Sequence, residues 1–215
     1  MRRCYLVRHG QTHWNGENRL QGHSDQPLSP LGHEQAKKLG AFFAHRPVKG
    51  IVTSRLLRSQ QTAKGIAEGN GHTLSPIIEV DLAEMNLGAW EGLTPDDINA
   101  KFDGIYDRWR VAPSSVVIPG AEGLGAFRAR VRGVFQRVTA PWGEGEYVIV
   151  SHGGVIAALL ADLWGADYDA LLRRLRLDNG GVTAVELDGR WPHVLWVNAT
   201  AHLYAGADVP PQNWY

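Results

Sequence analysis

The chain predicts a three-layer α/β/α sandwich around a mainly parallel sheet. Three observations carry this expectation. Short apolar runs alternate with helix-length amphipathic stretches, the pattern of crossover connections between parallel strands. Two of the runs, 5–7 and 147–150, are apolar throughout, as strands covered on both faces must be. Both then deliver polar residues, Arg8-His9-Gly10 and Ser151-His152-Gly153, where an α/β sheet presents its ligand-binding groups.

The elements follow in order. Residues 3–7 read as the first strand. Residues 8–28 are polar, contain Gly and Asn, and are too long for a plain connection, which points to function. Ser29 then caps a helix with Pro30 at its first position. Leu31, Ala36, Leu39 and Phe43 give that helix an apolar side, and it continues to about residue 45. A strand at 50–53 ends in Ser54-Arg55, and a helix from about 56 to 68 is stopped by Gly69-Asn70-Gly71. Residues 77–80 suit another short strand.

Residues 82–120 differ, holding Gly, Pro, Trp and acidic residues with little strand character. Thr94 as cap, Pro95 next, and Asp96 and Asp97 in the first turn signal one helix there. This excursion is expected to form a cap over the sheet end, within a single domain spanning 1–215. From residue 122 the helical pattern returns. Leu124, Phe127, Val131, Val134 and Val138 form one stripe, with Arg128, Arg130, Arg132 and Arg137 read as a solvated face. A strand at 147–150, an apolar helix at 153–164 and a shorter one at 168–177 follow. Residues 182–187 and 193–197, turning at Asp188-Gly189, read as a hairpin. The tail after Tyr204 is expected to be loosely ordered.

Composition bounds the function. The 215 residues are 44% apolar and 20% charged, an ordinary globular balance. With 22 basic and 22 acidic side chains, no global field draws nucleic acid or an anionic membrane, so an anion site must be local. No apolar run approaches the roughly 20 residues of a membrane span, and no signal peptide is visible. The lone Cys4 rules out an internal disulfide. A cytoplasmic location is expected.

Two strand-end histidines and an arginine suit an anionic group, most simply a phosphate. Transfer through histidine needs a neutral imidazole aimed at phosphorus, cations on the non-bridging oxygens, and an acid for the leaving oxygen. His9 is placed as nucleophile, and neighbouring guanidinium groups would keep it neutral. Arg8 is adjacent, and Arg58 lies one helical turn beyond Ser54. Arginine clamps phosphate in bidentate fashion and stays charged. His9 and His13 have a helical metal spacing, but Gly10 and the preceding strand argue against a helix, and no HExxH or cysteine cluster exists.

Four ordered segments, LVRHGQTHWN, SRLLRSQQTA, LAEMNLGAWEG and VSHGG, resemble the signatures of the histidine phosphatase superfamily, in its phosphoglycerate-mutase-like branch. The resemblance covers about residues 3–204 and implies the phosphoglycerate mutase-like fold. It also implies roles. His9 would attack phosphorus and form a phosphohistidine. Arg8, Arg58 and His152 would bind the phosphoryl oxygens. Glu84 would protonate the leaving alcohol and then deprotonate the attacking water, with Glu91 the competing carboxylate. Asn15, Gln21 and Gly22 would line the phosphate side. His202, in NATAHL, matches the ending of related small phosphatases and is a candidate substrate contact, with a structural role as its alternative. The resemblance calls for no metal and no organic cofactor. The stretch PGAEG departs from the family's Pro-Gly-Gly-Glu-Ser at Ala121 and Gly123, which puts the serine's polar contact in doubt.

Three functions are therefore weighed. The favoured one is a metal-independent phosphatase acting on a small phosphorylated molecule through a phosphohistidine. The alternatives are a cofactor-dependent phosphoglycerate mutase and a non-catalytic phospho-ligand binding module. Mutases of the family carry longer caps rich in Lys and Arg, whereas residues 85–120 offer only Lys101, Arg108 and Arg110 against several acids. Trp90, Trp109 and Tyr106 predict an apolar-walled pocket. A homodimer is an open option.

Overall fold

The computed structural model describes residues 1–71, 74–188 and 191–204. The expectations for Gly189 and for the tail after Tyr204 lie outside the described residues. The strands are β1 (Arg2–Arg8), β2 (Val48–Ser54), β3 (Ile77–Glu79), β4 (Gly145–Ser151), β5 (Val182–Glu186) and β6 (His193–Ala199). The helices are α1 (His13–Gly16), α2 (Pro30–Phe43), α3 (Leu57–Gly69), α4 (Pro95–Lys101), α5 (Ile105–Val111), α6 (Leu124–Thr139), α7 (Gly153–Trp164) and α8 (Tyr168–Leu172).

One sheet runs in the order β3-β2-β4-β1-β5-β6. The strands β1 to β4 are mutually parallel, β5 is antiparallel to β1, and β6 is antiparallel to β5. The strand pleat sorts the core into two faces. Cys4 and Leu6 join Ile149, Phe127 and Ile156 under α6 and α7. Tyr5 and Val7 join Val148, Leu39 and Ile66 under α2 and α3. This is why β1 and β4 read as unbroken apolar runs. They hold the centre of the sheet and are covered on both sides, giving the three-layer architecture.

The local signals act as written. Ser29 accepts from the Gly32 amide at 3.1 Å with Pro30 in the first turn, and Thr94 and Asp97 form a reciprocal capping box on α4. Three departures have physical causes. The strand expected at 77–80 ends at Glu79, because Val80–Leu82 turns as a 3-10 helix toward the cap. The helix expected over 168–177 stops at Leu172, and the following chain bends back so that the Leu177 carbonyl accepts from the Arg8 guanidinium. Helix α5, absent from the sequence reading, starts at the left-handed Gly104 (φ 69°). Its first amides are capped from α4, where Asn99 Oδ1 accepts from Tyr106 at 3.0 Å and Asp107 at 3.3 Å. A cap supplied from the preceding helix leaves no local signature.

The excursion packs as a cap with its own small core. Trp90, Ile98 and Ile118 are buried there, surrounded by Leu20, Leu87, Phe102, Tyr106 and Trp109. Among the described residues no helix is long and apolar enough to cross a membrane.

Candidate active site

Strand register builds the site. Arg8 pairs with Ser151 at the ends of the adjacent parallel strands β1 and β4. The next residues, His9 and His152, are thereby neighbours. The His9 amide donates to the Ser151 carbonyl at 2.9 Å, and the two imidazole centroids lie 5.2 Å apart. On the other side of β4, Thr53 of β2 pairs with Val150. That places Ser54 and the start of α3, which carries Arg58, beside His152.

The protonation state of His9 follows from its partner. Its Nδ1 sits 2.7 Å from the Gly10 carbonyl, an acceptor only, so Nδ1 carries the proton and Nε2 carries the lone pair. Burial first, then Arg58 and Arg8, hold the imidazole well below the ordinary histidine range. His9 is therefore a neutral ring with a free nucleophilic nitrogen.

Around it stand buried nitrogens that have no partner among the described residues. Arg58 is 1% exposed and donates to the Gly22 carbonyl at 2.8 Å and the Ser24 carbonyl at 2.9 Å, yet its Nε–H is buried without a partner among the described residues. Arg8 is held by the Leu177 carbonyl, and its Nε is likewise unpartnered. His152 is fully buried and places Nε2 2.8 Å from Ser54 Oγ, leaving Nδ1 with no partner among the described residues. Burial lowers the Arg58 pKa to about 10, with Glu84 and Asp25 opposing the fall, so the guanidinium stays charged at neutral pH.

Glu84 enters the same cavity, of about 340 Å³, with Arg8, His9 and Arg58. Its Oε1 accepts from the Met85 amide at 2.9 Å and its Oε2 from the Gly154 amide at 3.0 Å. Gly154 admits this contact because it lacks a Cβ, which would fall 2.4 Å from Oε1. Glu91 does not line the cavity. Its carboxylate is taken by the His23 amide at 2.8 Å, the Leu87 amide at 3.1 Å and Ser24 Oγ at 2.7 Å.

The other sequence candidates divide. Asn15, Gln21 and Gly22 line the cavity. Asn15 Oδ1 accepts from the Thr12 amide at 3.1 Å, and Gln21 Oε1 accepts from Thr12 Oγ1 at 3.0 Å. Gly22 is left-handed (φ 50°), and a Cβ there would fall 2.2 Å from Glu91 Oε1. His202 is not brought to the cavity. Its Nε2 donates to the Gly180 carbonyl at 3.0 Å and its ring packs on Phe42. It braces the turn whose Gly180 amide meets the Arg8 carbonyl, which is the structural alternative.

Some positioning residues were missed. Arg130, read as part of a solvated face, donates to the Asp81, Ala83 and Glu84 carbonyls and pairs with Glu122 at 2.6 Å, holding the segment that carries Glu84. His23 donates from Nε2 to the Glu84 carbonyl at 2.8 Å. Asn179 donates to the His9 carbonyl at 3.0 Å. Each bonds to backbone carbonyls remote in sequence, and such bonds have no spacing signature. Glu122 alone had a flag, its place in PGAEG.

Away from Arg8, His9 and Arg58 the cavity wall is apolar, with Leu20, Met85, Tyr106, Trp109, Tyr168 and Leu172. Trp90 does not line it. The residue is wholly buried, its ring 6.0 Å from those of Tyr106 and Trp109, so it supports the two that do. Among the described residues Arg19 is the one further cation on the lining, engaged by Glu17 at 2.7 Å and the Gly92 carbonyl at 2.8 Å. Lys101, Arg108 and Arg110 are not on it.

The chain as a whole is similar to known proteins. The family model of the histidine phosphatase superfamily (branch 1) matches residues 4–200. A Hydrogenobacter thermophilus protein named provisionally as phosphoserine phosphatase 2 is 30% identical, over 94% of this chain and 98% of its own. A Yersinia pestis protein named provisionally as a phosphoglycerate mutase is 32% identical, over 98% and 97%. The structure of a mycobacterial glucosyl-3-phosphoglycerate phosphatase in complex with VO3 superposes with a TM-score of 0.82 at 31% identity, covering 93% of this chain and all of that one.

Proposed function

Since this chain belongs to the histidine phosphatase superfamily, we propose that it hydrolyses a small-molecule phosphomonoester through a phosphohistidine on His9. One observation carries the reading. Three buried nitrogens, Arg8 Nε, Arg58 Nε and His152 Nδ1, have no partner among the described residues, beside a histidine whose Nδ1 is engaged and whose Nε2 carries the lone pair. Each unmade buried bond costs about 1–3 kcal/mol, and native proteins keep such groups where a ligand uses them. A phosphoryl group offers the acceptors that these donors need.

The chemistry then follows atom by atom. Nε2 of His9 attacks phosphorus, and the bond from phosphorus to the ester oxygen breaks. Glu84 gives its proton to the departing oxygen. Arg8, Arg58 and His152 stabilise the charge on the non-bridging oxygens in the transition state. Water then attacks the phosphohistidine, Glu84 takes its proton, and inorganic phosphate leaves His9 restored. The chain's own cations and proton carrier supply every step.

Phosphatase names among the relatives support water as the acceptor. So does the wall, where among the described residues only the engaged Arg19 is added to the two phosphate-end arginines. The apolar lining favours an uncharged or aromatic alcohol portion over a second phosphate. The relative named as a mutase keeps the alternative testable. The experiment is phosphate release across a panel of phosphomonoesters in EDTA, beside 3-phosphoglycerate interconversion. We expect phosphate release, and label trapped on His9 that is stable in base and lost in acid. Interconversion without phosphate release would replace the phosphatase by the mutase. Undiminished release by His9→Ala would overturn the nucleophile.

A further inference from the structure

Ser54 and Ser59 flank His152, and all three are fully buried. Ser54 Oγ lies 2.8 Å from His152 Nε2, and Ser59 Oγ lies 3.3 Å from it. The Leu56 amide also donates to Ser54 Oγ at 3.2 Å. That amide uses one lone pair of the hydroxyl, and the hydroxyl proton has no other acceptor among the described residues. Directed at Nε2, it makes Nε2 the acceptor. The proton of the neutral ring then belongs on Nδ1, the nitrogen without a partner among the described residues. The opposite tautomer strands the Ser54 hydroxyl proton and leaves Nδ1 as a bare lone pair, which would repel a phosphoryl oxygen.

We infer that Ser54, backed by Ser59, is a positioning residue that fixes the tautomer of His152 so that Nδ1–H is its outward donor. The inference rests on the reading of His152 as a phosphoryl-binding group. Burial, Arg58, His9 and Arg8 all lower the His152 pKa, so the ring is neutral and its tautomer matters. A doubly protonated ring would donate from either nitrogen and would need no serine.

The test begins on the wild-type protein. With ¹⁵N-labelled histidine, two-bond proton–nitrogen spectra distinguish the tautomers, and His152 is assigned by the signal lost in His152→Asn. We expect Nδ1 protonated and Nε2 unprotonated. The Ser54→Ala/Ser59→Ala variant should shift the proton toward Nε2 and lower kcat about 10–100-fold, the usual range for losing an orienting partner. KM should change less, and Ser54→Thr should restore both tautomer and kcat. Nε2 protonated in the wild type, or a folded double variant with full kcat, overturns the inference. A reversed tautomer in an enzyme that still releases phosphate removes the role of Ser54 alone. An enzyme that releases no phosphate from any ester removes the phosphatase reading, while the spectra still locate the proton.

Discussion

The two ends of the cavity are built in opposite ways. The end proposed to hold the phosphate is polar, buried, and set by the central strands β1 and β4, whose register leaves His9 and His152 as neighbours. The far end is apolar and set by the cap, where Tyr106 and Trp109 stack at 5.6 Å over the buried Trp90. Strand register fixes which residues stand side by side at the polar end. A cap of short helices dictates a shape that side chains can rework. On the proposed function, this division would separate the reacting group from the part of the ligand that distinguishes one ester from another.

Breaking the phosphate end should have the largest effect. Arg58→Ala removes a transition-state donor and frees the Gly22 and Ser24 carbonyls that it now holds. Loss of one such donor costs on the order of 10²–10³ in kcat. Steady-state phosphate release should fall by that factor for every substrate alike. A loss confined to a few substrates would instead place Arg58 in specificity.

Gly154→Ala tests the same end through geometry. The new Cβ would displace the Glu84 carboxyl, and a misplacement near 1 Å costs about 10² in rate. The loss should be smaller for esters with good leaving groups, such as nitrophenyl phosphate, which need little proton donation. An equal loss for good and poor leaving groups would count against Glu84 as the acid.

Trp109→Ala sharpens the contrast. It should leave kcat on a small ester close to wild type while changing kcat/KM between large apolar and small polar esters by roughly 10–200-fold, the range for hydrophobic pocket contacts. A uniform fall across the panel would erase the division between the two ends.

The smallest effect is on stability against pH. His9 and His152 are both held well below the ordinary histidine range, by burial first and then by Arg58. The unfolded chain binds a proton on each near pH 6.5, and the folded chain does not. Stability therefore rises with pH in that window, is fully present above about 6.5, and is lost progressively below it. The urea midpoint should be lower at pH 5 than at pH 7.5, with a shallower slope in His9→Gln.

These regions also differ in how far the sequence reveals them. Strand ends are legible because an apolar run followed by Arg8-His9 or Ser151-His152 needs only local pattern to be placed. Arg58 is legible as one helical turn past a strand. Glu84 needed the family resemblance, since nothing local separates it from Glu91. The structure separates them by partners, because Glu91 is spent on three loop donors and Glu84 faces the cavity. Helix α5 and the roles of His23, Arg130 and Asn179 were hidden, because each depends on a partner brought close only by folding. Trp90 was misplaced because burial of an aromatic in a small cap core and exposure in a pocket wall have the same sequence signature.

The Glu91 carboxylate has a consequence for how new specificities can arise. It rivets the cap to residues 22–24, and Leu20 exchanges backbone bonds with Gly92 and Leu93 beside it, at 2.8 and 2.9 Å. The opposite margin, around α5 and residues 113–117, is tied to the body through exposed contacts such as Ser114 with Asp169. One border is a weld and the other a seam. Among the described residues, Ser114 bonds to Asp169 and not to the residue 22–24 loop that holds Arg58, so this border is where a library for altered substrates should be cut.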